Sequence, residues 1–565
     1  MVNLNKDENF NNPLLYIIVV FILASFSYEI YSRNVLLAIF YIFSFFIFIL
    51  YFKGIYISSI LIIFFIVSFN NNIWFYSYEP KESEQIRITE IKNYYGKGKI
   101  EGRIVNLFNI NEEIKEGDRL IVNGKFTENK NITRGIIGDY EIKDFIKLEP
   151  DFIYKLCRRR EYIFQKVEKK LGQRKAALIT AVSFGYVKGL DQDHKELMKS
   201  LGISHAISVS GLHLVLVYGI LNRLFGIKLS LVIAFVYVLF SGASPPAIRA
   251  YIMIFILTFG KVYKRNYNPL ASLALSGIII LLIKPYDIYD IGFILSFLAT
   301  LGIILFNRDL NKKLYKLPNT IRSTIAISLS AQVFTFPMII LCFNEVSLNF
   351  IIGNIIIIPL INLLVVLGNI LIFAEMIPII FNYILYLCHY IIKYIDIIMY
   401  KIDGIGLELA YLHYTVAYFY IALLTAFYFY KKGFKRFLYY PVIIFCYILL
   451  LIYSPLPKIR YFYEGALLIS YKGDRMLIQT KDIIDKEKLM AISLTDKIID
   501  ELYEVDIGGS IKLKKYGENY ILNTGSREYL LFVNYEKISS KCDIIDFIKG
   551  DLKEITLFDD KVINN

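Results

Sequence analysis

Long apolar runs alternate along the chain with two stretches whose polar and apolar residues follow the two-residue period of β-structure. Runs at 14–30, 35–52 and 55–75 are nearly free of charge. They approach the ~20 residues that an α-helix needs to cross a hydrocarbon core. They predict three membrane helices joined by loops too short to hold a domain, a 1–76 helical segment. The first run passes directly into the next with no small-residue cleavage site, so it is expected to stay in the protein. From Ser77 the pattern changes. EQIRITEI, KGKIEGRIV, DRLIVNGKF and TRGIIGDYEIKDFIKL alternate between turn residues, which predicts a small β-domain over 77–154.

A basic amphipathic connector, YKLCRRREYIFQKVEKK at 155–171, comes next. Such a helix suits an anionic membrane surface or a phosphate backbone. Further apolar runs fall at 209–225, 229–242, 246–261, 269–284, 287–306, 321–343, 348–376, 378–400, 413–430 and 437–453. The expected fold is therefore a polytopic α-helical membrane protein of about 12–14 helices, its main membrane region spanning 155–455. The second β-patterned stretch is 456–565. There RYFYEGALLISY, a KGD turn and RMLIQT read as a hairpin, and REYLLFVNY after NTGS reads as another strand.

Charge changes the picture only once it is divided. The net charge is +13, and residues 171–455 hold 23 basic against 11 acidic side chains, so the excess sits in the helical region. Its clusters are KVYKR at 261–265, the lysines and arginines of 308–322, and KKGFKR at 431–436. The positive-inside rule accounts for such loops, and so does a basic path for a polyanion. With the clusters in the cytoplasm, helix parity places the N-terminus inside and both β-regions outside. The five cysteines are scattered without metal-ligand spacing, which argues against a disulfide framework and a zinc site.

The richest chemistry lies in KSLGISHAISVSGLH at 199–213. It sets Ser204, His205, Ser208, Ser210, Gly211 and His213 ahead of the apolar LVLVYGIL. Hydrocarbon penalises unpaired polar groups, so this run should face protein or water. One reading is a helix break whose hydroxyls and imidazoles satisfy one another. Another is a serine–histidine nucleophile, although no nearby acid orients either histidine and no G-x-S-x-G elbow is present. Arg249, just after SGASPP, is a cation inside a spanning run, where it snorkels to the interface or offers fixed positive charge to a passing phosphate. Asp287 and Asp290 bracket the start of a later helix as caps. Glu345, Glu375, Asp396 and Glu408 are ionisable groups that need partners. Gly242, Gly292, Gly302, Gly353 and the Pro245–Pro246 pair permit close or broken helices.

The run GISHAISVSGLHLV resembles the signature of the ComEC family, the inner-membrane channel of natural DNA uptake. Other family-like segments follow in order: SGASPPAIRA at 241–250, DIGFILSFLATLGI at 290–303, SAQVFTFP at 330–337 and NFIIGNIIIIPLIN at 349–362. The likeness covers roughly 170–455. Ile294 departs from it, standing where the family commonly has a glutamine. The resemblance implies that the β-domain is OB-like and extracellular, either a binding domain with Tyr94, Tyr95, Phe108 and Tyr140 as candidate base-stacking residues or a solubilising or assembly domain. It also implies that single-stranded DNA passes a polar core. The candidate residues of that core are Ser204, His205, Ser208, Ser210, Gly211, His213, Ser244, Arg249, Asp290, Gly292, Ser296, Gln332 and Asn354. No P-loop is present, so the implied partners are a cytoplasmic ATP-driven DNA translocase and an extracellular DNA receptor.

Many relatives of that family carry a metallo-β-lactamase-like nuclease domain after the channel. Its metals need a cluster of histidines and aspartates. The histidines here are His194, His205, His213, His389 and His413, with none in the 456–565 tail. The tail is then a small β-rich domain or a degenerate remnant, and no enzyme activity, metal or cofactor is expected. Other functions compatible with the sequence are a secondary transporter or lipid-linked polymer flippase, an intramembrane hydrolase, and an assembly scaffold that does not transport.

Overall fold

The computed structural model describes residues 12–564 apart from 93–94, 208–209, 265–266, 406, 408, 482–484, 501–502, 509–510, 535–541, 549–553 and 559–560. The chain divides into two compact units, Met1–Thr335 with Ser347–Glu408, and Phe336–Val346 with Leu409–Asn565.

In the first unit, α1 (Pro13–Arg33) is followed by α2 (Val35–Tyr76), which Asn34 caps by accepting from the Leu37 N–H. The apolar runs 35–52 and 55–75 lie in this one element, broken at Gly54 (φ 77°, ψ 175°). Only glycine takes such a conformation readily, so two expected helices become one kinked pair. Gly226 (φ 73°, ψ 175°) does the same inside α6 (Gly211–Phe240), joining the runs expected at 209–225 and 229–242.

The β-domain is a closed barrel. Its strands are β1 (Ser83–Lys92), β2 (Tyr95–Ile100), β3 (Arg103–Phe108), β4 (Arg119–Asn131) and β5 (Ile136–Lys147), in the order β1-β2-β3-β5-β4. The β3–β5 pair is parallel and the remaining pairs are antiparallel. Alternation puts Ile86, Ile88, Ile100, Val105, Leu107, Leu120 and Val122 inside, so the barrel is OB-like in closure and filling. Arg103, 2% exposed, ties it to the end of α2. Its guanidinium lies 4.2 Å from the Trp74 ring and 4.5 Å from the Tyr78 ring, and its Nε donates to the Phe75 carbonyl at 2.9 Å.

Asp151 caps α3 (Phe152–Leu171) by accepting from the Tyr154 N–H, and it pairs with Arg87 of β1. The Arg87 hydrogen bonds hold its carboxyl down to about 2. The connector expected to reach a membrane surface or a ligand is this helix. Its apolar face (Ile163, Phe164, Val167) is instead buried against residues of α4 (Gln173–Phe184), α11 (Phe350–Ala374) and α12 (Pro378–Ile405). Its Arg159 and Lys166 both pair with Glu375, and Arg174 of α4 pairs with Asp396 at 2.7 Å. Two of the scattered acids thus find their partners. Glu408 lies outside the described residues.

The remaining helices of this unit are α5 (Gln192–Ser200), α7 (Pro245–Val262), α8 (Pro269–Ile283) and α9 (Ile291–Lys313). The helix α10 (Asn319–Phe343) runs from this unit into the second. Among the described residues nine helices are long and apolar enough to cross a membrane. Val35–Tyr51 and Pro269–Ile283 are shorter apolar helices.

The second unit holds the paired short strands β6 (Glu345–Ser347) and β7 (Leu409–Tyr411), then α13 (Tyr414–Lys431) and α14 (Tyr440–Tyr453). Two sheets follow. One is built from β8 (Lys458–Phe462), β9 (Ala466–Tyr471), β10 (Asp474–Gln479), β11 (Ile498–Ile499), β17 (Glu554–Phe558) and β18 (Lys561–Asn564). The other contains β12 (Glu504–Gly508), β13 (Ile511–Tyr516), β14 (Asn519–Asn523), β15 (Glu528–Phe532) and β16 (Asp543–Asp546), with α15 (Lys486–Ser493) in the connection between β10 and β11. Ile459, Leu467, Ile478, Leu513, Leu522, Leu531 and Phe547 form a core common to both. The expected hairpin is β9–β10, turning at Lys472 and Gly473. Arg475 donates to the Ser493 carbonyl at 2.7 Å and to the Leu451 and Ile452 carbonyls at the end of α14.

Candidate functional site around Arg249

The site starts from two helix beginnings. Ser210 is extended (φ −92°, ψ 168°) and caps α6 with a reciprocal box: the Ser210 hydroxyl accepts from the His213 backbone N–H, and the His213 ring accepts from the Ser210 backbone N–H. The ring atom is Nδ1, at 3.4 Å, and His213 is 2% exposed. This imidazole is an acceptor that starts a helix. The α7 helix begins at the Pro245–Pro246 pair, where the missing N–H costs nothing, with half-buried Ser244 in the N-cap position. One turn on, Arg249 points into the protein and is 9% exposed.

Arg249 Nη1 donates to the Thr300 hydroxyl on α9, and that hydroxyl donates back to the Ser296 carbonyl at 2.9 Å. The guanidinium carbon lies 5.9 Å from the Phe297 ring. Nη2 reaches α6, where a Cβ on Gly211 would stand 2.8 Å from it. Nε is buried without a partner, and no carboxylate pairs with this side chain among the described residues. A permanently charged group in a spanning helix, held by one hydroxyl, the Met253 sulfur at 3.9 Å and an aromatic face, has capacity left to bind an anion.

The structure therefore brings Ser210, Gly211, His213, Arg249 and Ser296 into one seam across α6, α7 and α9. Ser204 and His205 lie on an exposed single 3-10 turn just before it, and Ser208 falls outside the described residues. Asp290 is exposed and caps α9 by accepting from the Phe293 N–H at 2.7 Å, two residues before exposed Gly292. Asn354 of α11 donates to Ser328 of α10 at 2.9 Å, and Gln332 accepts from Thr335 at 3.2 Å. None of these last contacts reaches Arg249. Thr300 and Phe297 are the seam members that sequence reading missed. Their signal is the spacing of Ser296 and Thr300, four residues apart and so on one helix face.

Asp287 does not act as a cap. It is 3% exposed in the turn between α8 and α9, with Oδ2 unpartnered among the described residues. Burial pushes its carboxyl up to about 6 against the opposing pull of Lys284 and of Lys99 on β2, with Asp290 adding to the rise. On the barrel, Tyr95 and Phe108 stand opposite each other in the β2–β3 register as an exposed pair with centroids 5.8 Å apart. Tyr140 is not a stacking residue: it is fully buried and its hydroxyl donates to the Glu82 carbonyl at 2.7 Å. Tyr94 lies outside the described residues.

The family model for competence proteins matches residues 182–433, which contain the whole seam. Over this region the chain is similar to the competence proteins. The chain is 24% identical over 258 residues to ComE operon protein 3 of Bacillus subtilis, covering 44% of this chain and 33% of that protein. It is 32% identical over 187 residues to an uncharacterized protein of Aquifex aeolicus (32% of this chain, 44% of the relative). It is 23% identical over 232 residues to Recombination protein 2 of Haemophilus influenzae (37% and 29%). The chain thus spans less than half the length of each of these relatives. No solved structure matches it.

Proposed function

We propose that this protein conducts single-stranded DNA across the cytoplasmic membrane during natural transformation. The observation that carries the reading is Arg249. It is a buried cation with no carboxylate partner among the described residues, set inside the competence region against the start of α6. A phosphodiester strand crossing a low-dielectric region needs fixed positive charge without a competing anion. The Tyr95–Phe108 pair on the barrel supports an entry platform, because base stacking on exposed rings is tolerant of sequence. The basic clusters at 261–265, 308–322 and 431–436 favour an orientation with those loops and the N-terminus in the cytoplasm, and with both β-regions outside. Energy then comes from a cytoplasmic ATP-driven translocase, and DNA arrives from an extracellular receptor. The two-sheet tail fits a remnant of a metallo-β-lactamase-like domain, without histidines of its own.

The test is complementation. A transformable bacterium lacking its own channel, but keeping its translocase and receptor, receives this chain, and nuclease-resistant labelled DNA in the cytoplasm is measured. Import above the deletion strain is expected. No import by protein that is verified in the membrane would overturn the reading.

A further inference from the structure

A second cationic site lies away from the Arg249 seam, where α9 ends and α10 begins. Asn307, Arg308, Asn311, Lys312, Tyr315 and Arg322 line an open groove of about 500 Å³. Its lining holds three cations and, among the described residues, no carboxylate. Both helices are long and apolar enough to span a membrane, so the groove sits at the boundary where hydrocarbon gives way to water. Two buried polar atoms in it, Asn307 Oδ1 and Arg322 Nε, have no partner among the described residues. Arg322 Nη2 donates to Asn319, which fixes the guanidinium at the start of α10. Leu305, 44% exposed, precedes Arg308 and Lys312 on the same face of α9, one turn nearer the hydrocarbon than Arg308.

We propose that this groove binds the head group of an anionic phospholipid that carries hydroxyls beyond its phosphate. Arg308, Lys312 and Arg322 take the phosphate, and Asn307 Oδ1 accepts from a head-group hydroxyl. Leu305 lies along the acyl chains. A basic pocket between spanning helices at the interface suits such a head group in charge and depth. The groove's site is independent of the DNA-conduction reading.

The test titrates the purified full-length chain with phosphatidylglycerol, phosphatidylcholine, inorganic phosphate or a short oligothymidylate, and counts bound molecules by native mass spectrometry. Phosphatidylglycerol is expected to bind in preference to phosphatidylcholine, with inorganic phosphate a weak competitor. Each neutralised cation should weaken binding about fivefold. Arg308→Gln/Lys312→Gln then loses about twenty-five-fold, while Lys228→Gln/Lys261→Gln, charge-matched and outside the groove, changes little. Arg308 and Lys312 are not buried, so the first variant does not disturb the core that Arg322→Gln could. Equal binding of the two phospholipids, or equal loss in the two double variants, would overturn the proposal. So would phosphate binding as tightly as the lipid, or an oligothymidylate whose binding depends on Arg308 and Lys312 when the lipid's does not.

Discussion

Arg249 Nη2 lies where only a glycine at position 211 leaves room for it: a Cβ on Gly211 would stand 2.8 Å from that nitrogen and 3.3 Å from the Ala250 Cβ. The first residue of one spanning helix thus sets where the charge on the next one sits. The contact is with the far end of a flexible side chain, so the clash is relieved by moving the guanidinium rather than by unfolding. Gly211→Ala should therefore reach the membrane at near wild-type levels while DNA import falls about tenfold, a barrier change of about 1.4 kcal/mol. Gly219→Ala, on the same helix with no described residue beyond its helix neighbours within 4 Å of the new Cβ, should leave import unchanged. Import assays with immunoblotted membranes check both.

Gly302 makes a different kind of contact. A Cβ there would fall well inside van der Waals distance of the Ser330 carbonyl oxygen, which is backbone of the neighbouring α10 and cannot swing away. Gly302→Ala must push the two helices apart, at a cost of about 1–3 kcal/mol. Thermal unfolding of the purified protein should show a clear drop in Tm. Gly292→Ala, where the nearest atom is the Asp290 carboxylate at 3.0 Å, should show little.

The predicted elements and the observed ones differ in instructive ways. Period-two alternation located the barrel strands well, because each strand buries one face inside a closed sheet. Helix number was less legible, since hydrophobicity alone does not separate two helices from one that is broken at Gly54 or Gly226. The connector's amphipathicity was plain, but a sequence does not say whether the covering surface is lipid or protein. Here the answer came from Glu375, far along the chain, which pairs with Arg159 and Lys166. Arg249 stood out as a charge in an apolar run, yet its partner Thr300 looked like an ordinary helix threonine. Tyr140 looked like a stacking residue because aromatic identity does not reveal which face of a strand it occupies.

Asp287 should couple stability to pH. Its carboxyl sits at about 6 in the folded protein against an ordinary value of 3.8, so the folded state holds the proton more tightly than the unfolded chain. Stability from this group is greatest below the unfolded value and declines as pH rises through about 6. The loss is at most about 3 kcal/mol. Asp287→Asn should accordingly raise Tm at pH ~7.5 and leave it nearly unchanged at pH ~4. A Tm difference that is the same at both pH values would show that the buried charge does not couple folding to pH.

The central claim is that a strand of DNA passes the fixed charge of Arg249, and import of labelled single strands by Arg249 variants tests it most directly. Wild type, Arg249→Lys, Arg249→Gln and His213→Ala would be compared in the same transformable host at matched membrane levels. The account predicts near-complete loss of import in Arg249→Gln and partial retention in Arg249→Lys, which keeps the charge but loses the fork. His213→Ala should lower import by loosening the start of α6. Import by Arg249→Gln at the wild-type rate would contradict the account.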